Sequence, residues 1–238
     1  MRIQHNIAAL NTHRNLAANN TSAGKDLEKL SSGYKINRAG DDAAGLSISE
    51  KMRGQIRGLD MATKNAQDSI SLIQTAEGGL NETHSILQRM RELAVQSAND
   101  TNVAADRTAI QAEIDELASE ITRIAENTEF NTQSLLNGGA MATGITFHIG
   151  ANKDQAITLK IDAMDATSLT VNAIDVTSQT AANGSIETIN DALSTVSTQR
   201  SKLGAVQNRL EHTISNLGAT SENLTAAESR IRDTDMAK

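Results

Sequence analysis

The sequence predicts a mainly α protein: an elongated rod of long antiparallel helices in a coiled-coil-like bundle, with a small β-hairpin region. Three observations carry that prediction. Every seventh residue from Ile189 to Ile231 is aliphatic (Ile189, Val196, Leu203, Leu210, Leu217, Leu224, Ile231), which marks a long helix with one sticky edge. Met52, Leu59, Ala66, Ile73, Leu80, Leu87 and Ala94 repeat that spacing nearer the front of the chain, so the first stripe has a partner of similar length. Finally, the 238 residues contain no proline and only Tyr34, Phe130 and Phe147 as aromatics. Without proline, long helices go unbroken; with so few aromatic rings the chain lines thin seams rather than filling a thick core.

Taken in order, residues 1–32 carry Ile3, Ile7, Leu10, Leu16, Leu27 and Leu30, punctuated by Asn19-Asn20-Thr21-Ser22 and Gly24. This reads as two helical pieces with a weak joint, too poor in apolar residues to order without an outside contact. Ser31-Ser32-Gly33 and Arg38-Ala39-Gly40 bracket a non-helical link, after which Asp41 and Asp42 suit an N-cap and first turn. A helix then runs from about Ala43 to Asn99, roughly 85 Å at 1.5 Å per residue, against roughly 78 Å for the C-terminal one. Its second stripe, Leu72, Ala76, Gly79, Ile86, Met90 and Leu93, predicts contacts on two sides and a place for a third helix. That helix spans about 104–128, with Ile110, Ile114, Leu117, Ile121 and Ile124 in 4-3-4-3 spacing. After Asn137-Gly138-Gly139 the period changes to two. Ile145, Phe147 and Ile149 alternate, a turn follows at 150–154, and Ile157, Leu159 and Ile161 alternate again. This is a hairpin, marginal unless it lies on the bundle. Residues 163–184 read as a polar connector with a short strand at Leu169 to Val176, ended by Asn183-Gly184.

The chemistry of catalysis is missing from this pattern. His5, His13, His84, His148 and His212 form no i,i+4 pair and have no carboxylate motif around them, so they read as surface or interface residues rather than metal ligands. Gly24-Lys25-Asp26 lacks the earlier glycine and following hydroxyl residue of a phosphate loop. No enzyme, cofactor or metal is expected. Acidic residues outnumber basic ones, 29 to 22, which is no nucleic-acid footprint. Cysteine is absent, so disulfides and thiolate sites are excluded. The first residues, Met1 to Ile7, lack the apolar run of a secretory signal, and no segment is long and apolar enough for membrane insertion.

Specific words add to the periodicity. Leu30-Ser31-Ser32-Gly33-Tyr34-Lys35-Ile36-Asn37-Arg38-Ala39-Gly40-Asp41-Asp42-Ala43-Ala44-Gly45-Leu46, Gln74-Thr75-Ala76-Glu77-Gly78-Gly79-Leu80, Leu87-Gln88-Arg89-Met90-Arg91-Glu92-Leu93-Ala94 and the stretch from Glu222 to Met236 closely resemble bacterial flagellin, over nearly all of 1–140 and 185–238. Tyr34 and Lys35 stand where that family more often has Leu and Arg. The resemblance implies an N-terminal inner-core segment and link (1–42), helices of a rod-like core domain (43–140), a hairpin with a short variable connector (141–184) and a C-terminal core helix (185–238). It also implies that flagellins of this kind continue past Asp235-Met236-Ala237-Lys238 into a second inner-core helix, so that residues 1–32 lack their partner in this chain, and the short connector at 163–184, with no room for the large surface domains of longer flagellins, implies a minimal, core-only subunit.

What the resemblance implies about function is a structural subunit of the flagellar filament, exported through the flagellum's type III channel without a cleaved signal peptide and polymerising with itself into a motile tube. Implied partners are hook-associated and cap proteins, an export chaperone that grips the tail, and the animal Toll-like receptor for flagellin. Leu87, Gln88, Arg89, Glu92 and Glu113 are the implied receptor and subunit contacts; Met52, Leu59, Ile73, Leu80, Leu203, Leu210, Leu217 and Leu224 form the core seam. Two other readings suit narrow heptad seams equally: a cytosolic helical adaptor, chaperone or signalling coiled coil, and a flagellin-like hook-junction or cap protein.

Overall fold

The structure, a computed structural model, describes residues 6–235. Ile3 and His5 of the N-terminal pattern and Met236 of the closing motif lie outside the described residues. The fold is mainly α, with two small antiparallel strand pairs. Two compact units are formed, one from the residues up to Asp60 together with those from Gly218 onward, the other from Met61–Leu217.

In the first unit, helix α1 (Ile7–Ser32) begins with Asn6, whose Oδ1 accepts from Ala9 N at 3.1 Å. It ends at Gly33, where φ is +75°, a left-handed cap that glycine adopts without strain. The expected joint at 19–24 is not there: one helix passes through it. Asn, Ser and Gly disfavour a helix by at most about 1 kcal/mol each, and Thr21 turns its hydroxyl back onto Ala17 O at 2.9 Å instead of disrupting the turn. No residue of α1 is buried, and Ile7, Leu10, Leu16, Leu27 and Leu30 are all exposed.

The link is held by side chains. Asp41 Oδ2 accepts from the backbone N–H groups of Asn37 and Arg38 at 3.2 and 3.0 Å, and the Arg38 bond is the main reason its carboxyl titrates below the ordinary aspartate range. Asp42 Oδ1 accepts from Gly45 N at 2.9 Å and caps α2 (Ala43–Ser97). The two acids thus divide the work: Asp42 caps the helix, and Asp41 closes the link before it rather than entering the first turn. The start of α2 and the end of the last helix, α5 (Gln179–Arg232), run antiparallel here, since Ser49 meets Glu228 at 2.9 Å, Glu50 meets Arg232 at 2.8 Å and Asp60 meets Ser221 at 3.3 Å.

In the second unit the rest of α2 packs with α3 (Ala104–Asn127) and with α5. Ala66, Ile73, Leu80, Leu87 and Ala94 of the first seam are fully enclosed, as are Ile189, Val196, Leu203 and Leu210 of the second. The second stripe buries Leu72, Ala76, Met90 and Leu93 and half-buries Ile86. At Gly79 a Cβ would stand 2.9 Å from Leu136 Cδ1 and from Thr128 Oγ1, so a side chain there would collide with its neighbours. A short hairpin, β1 (Glu129–Phe130) with β2 (Gln133–Ser134), turns through Asn131 and Thr132, both at positive φ, as a two-residue type I′ turn requires. One helical turn, α4 (Ala140–Thr143), leads to β3 (Ile145–His148) and β4 (Ala156–Leu159). Their register sets Ile145 opposite Leu159 and Phe147 opposite Ile157, which puts the apolar residues on one face. Asn65 Nδ2 donates to His148 O at 3.0 Å and Gln199 Nε2 to Lys160 O at 3.1 Å, fixing the hairpin to α2 and to α5.

The connector corrects the sequence reading. Residues 169–176 form turns, not a strand, and Asn183-Gly184 lies inside α5, which starts at Gln179 behind a Ser178 cap. Nor is this segment a solvated link: Ile161, Met164, Ala166, Leu169, Val171, Ile174 and Val176 are buried. A buried backbone needs partners, and here a side chain replaces the neighbouring strand. Gln111 donates to Ile174 O at 2.7 Å and accepts from Val176 N at 2.8 Å. Ser97 Oγ donates to Val176 O at 2.6 Å, and Ser185 Oγ to Asp175 O at 2.8 Å.

Candidate interaction surface

The seam residues that α2 and α3 bury fix, by helical geometry, what they leave outside. Positions one and two after a buried heptad residue point away from the core, so Gln88 and Arg89, which follow Leu87, are exposed, together with Arg91, Glu92 and Gln96. Arg89 is tied to its surroundings in spite of that exposure. Its Nε and Nη2 donate to Glu113 Oε1 on α3 at 3.1 and 2.9 Å, and its Nη1 donates to Glu92 Oε2 at 3.3 Å. The Glu113 bond, then Glu92, holds the guanidinium above its ordinary pKa. Gln88 Nε2 sits 3.0 Å from His84 Nε2 one turn earlier. The result is an oriented polar patch across α2 and α3 whose acids and base are fixed by one another, with about half of each of the Arg89 and Glu113 side chains open to solvent. Among the described residues no group of three or more acidic, histidine or cysteine side chains could hold a metal ion.

A profile described as the bacterial flagellin N-terminal helical region matches residues 3–140, and one for the bacterial flagellin C-terminal helical region matches 186–238. The chain belongs to the bacterial flagellin family. It is 56% identical to a flagellin of Halalkalibacterium halodurans over 240 residues, all of this chain and 88% of that one. A Bacillus subtilis flagellin is 54% identical over 270 residues, covering 100% of this chain and 89% of the relative. The crystal structure of Bacillus cereus flagellin, 33% identical, superposes on 69% of this chain and 94% of its own with a TM-score of 0.58. A putative flagellar hook-associated protein from Vibrio parahaemolyticus shares the fold alone, at 12% identity and a TM-score of 0.67 over 81% of this chain and all of the other. Flagellin is a family of structural proteins, not of enzymes, and this chain is a structural flagellar-filament protein.

The contact set read for this flagellin separates in the structure. Gln88, Arg89, Glu92 and Glu113 are exposed and adjoin, whereas Leu87 is fully buried. Leu87 is a heptad seam residue and offers no surface to a partner, so it is removed from the contact set. In the seam, Leu59, Ile73, Leu80, Leu203, Leu210 and Leu217 are buried, while Met52 and Leu224 are half-buried.

A second constellation, in the first unit, has no signal in the sequence pattern. Arg232 lies with its guanidinium carbon 4.7 Å from the ring centroid of Tyr34 and its Nη1 2.8 Å from Glu50 Oε1. Lys35 N donates to Arg232 O at 2.7 Å and Thr234 N to Gly33 O at 2.9 Å, so that Tyr34 and Asp233 face each other across a short antiparallel bridge.

Proposed function

We propose that this flagellin is a bulk subunit of the filament, polymerising head-to-tail through heterologous contacts that do not close into a ring and so grow an open tube. Near-full-length identity above one half to two flagellins is the observation that carries the reading. The Gln88, Arg89, Glu92 and Glu113 patch is the proposed contact, both between subunits and with the animal Toll-like receptor for flagellin. Its support is that the patch is exposed, charged and held in one orientation by internal bonds, and a pre-oriented surface loses less entropy on binding. Along the chain, 1–42 serves as inner-core segment and link, 43–140 and the helix that begins at Gln179 as the core, and 141–178 as the hairpin and connector. The protein leaves the cell through the type III channel without a cleaved signal, and hook-associated proteins and the cap are its remaining partners.

The test is a strain whose resident flagellin is replaced by this protein or by its Arg89→Asp variant. The native chain yields sheared filaments and receptor signalling. The variant, still cooperatively folded, yields less of both. Wild-type filament yield and signalling from the variant would remove the patch from the account.

A further inference from the structure

We propose that Asn137 is a site of spontaneous deamidation in the folded protein, and that helix α5 protects the second Asn-Gly pair, Asn183-Gly184, from the same reaction. Both asparagines are exposed and both are followed by glycine, which puts no side chain in the way of attack. Side-chain access therefore does not distinguish them; the backbone does.

The reaction is intramolecular. The Gly138 nitrogen gives up its proton to solvent base and bonds to Cγ of Asn137; the Cγ–Nδ2 bond breaks and the amide nitrogen leaves as ammonia. Water then adds to either carbonyl of the resulting succinimide and breaks one of its ring C–N bonds, leaving aspartate or isoaspartate. Negative charge builds on Oδ1 during the attack, and the Gly139 N–H is already donated to that atom at 3.1 Å, which is where a stabilising donor is needed. Residues 137–139 lie outside any helix or strand, so no ladder hydrogen bond has to break. At Asn183 the attacking nitrogen belongs to Gly184 within α5, where it is committed to the carbonyl four residues earlier. That turn is anchored on both sides, by fully buried Ala182 and by Ser185 Oγ donating to Asp175 O at 2.8 Å.

The product is not neutral for the fold. Gly138 approaches Ala163 so closely that a Cβ on it would stand 2.7 Å from the Ala163 Cβ, and Met164 N bonds to Leu136 O at 2.8 Å. Isoaspartate lengthens the main chain by one methylene at that close approach and adds a carboxylate.

The experiment ages the full chain, folded and in guanidinium, at mildly alkaline pH. Tryptic fragments 124–153 and 161–200 are then mapped by mass spectrometry, with fragment ions locating each modified asparagine. In guanidinium the two sites react alike. In the folded chain Asn137 outpaces Asn183 by more than about tenfold, because the helical site must first lose hydrogen bonds. An Asn137→Gln chain serves as the blank, with no modification at that position. A folded-state ratio below tenfold overturns the proposal, and so does an Asn137 that reacts in the folded chain more than tenfold slower than in guanidinium.

Discussion

Replacing Arg232 by Met tests whether the end of α5 is fastened to the link after α1 by side-chain chemistry or only by its backbone bridge. Met keeps the length and apolar bulk of the Arg stem and removes the charge. A cation over an aromatic ring contributes about 0.5–2 kcal/mol, rising as the pair is desolvated, and the Arg232 side chain is only 14% exposed. The pair with Glu50, whose side chain is 58% exposed, behaves as a surface ion pair and adds about 0.2–1 kcal/mol. Against this, the buried Nε of Arg232 has no hydrogen-bond partner among the described residues, so Met also relieves a desolvation penalty of about 1 kcal/mol. With the desolvated end of the first range, about 2 kcal/mol, the net loss is about 1–2 kcal/mol, a factor of about 5–30 in the local opening equilibrium. Hydrogen exchange reads it directly. The amides of Lys35 and Thr234, which make the bridge, exchange about 5–30-fold faster in Arg232→Met, while amides inside 61–217 keep their rates. Since Tyr34 is the only tyrosine and tryptophan is absent, the emission of Tyr34 reports the loss of the stacked cation separately. Unchanged exchange at Lys35 and Thr234, or equal acceleration throughout α3, would show that the Arg232 side chain does not fasten this end of α5.

Leu87→Ala removes a fully enclosed side chain and lowers the stability of the second unit by about 2–5 kcal/mol, whereas Arg89→Ala, two residues on and exposed, loses only surface ion pairs, about 1 kcal/mol or less; the opposite ranking would mean that the seam is misassigned. Gln111→Leu strands Ile174 O and Val176 N without their surrogate strand and lowers stability by about 1–3 kcal/mol for each group left buried, and a variant as stable as the parent would show that the connector does not depend on that side chain. Asp41 has a depressed folded-state pKa, so its contribution is complete above the unfolded value and disappears as pH falls through the folded one. A carboxyl-carbon NMR titration gives Asp41 a midpoint below the ordinary 3.8, and a midpoint at or above it contradicts the two-amide cradle.

Most of the helical framework was legible because burial and period coincide. Ala66, Ile73, Leu80, Leu87 and Ala94 are sevenfold repeats, and each is enclosed; a narrow stripe of this kind has few alternative arrangements. The four-residue strands showed for the same reason, at period two. The connector was misread because two short apolar pairs, Leu169 with Val171 and Ile174 with Val176, looked like a strand while its real hydrogen-bond partner is a glutamine more than fifty residues away on a helix. The first hairpin was missed because Asn131-Thr132 supplies the two positive φ values without the glycine that advertises such a turn. In α1 the polar and glycine cluster signalled a break, but each residue's helix penalty is small and no buried contact was at stake. The polar patch was legible only in part. Resemblance pointed to Leu87 together with Arg89, and the heptad alone would have sent Leu87 inward. The Tyr34, Glu50 and Arg232 cluster joins residues from three distant places, and no local pattern announces such a meeting.

Under the proposed function, this protein makes up the length of a flagellar filament. Immunogold labelling of sheared filaments, with an antibody raised against residues 141–178, reads out where along the filament the chain lies. Gold spaced along whole filaments, with this chain as their main protein, is the predicted result. Gold confined to the hook end or to the growing tip, or signal found only in the cell lysate, contradicts it.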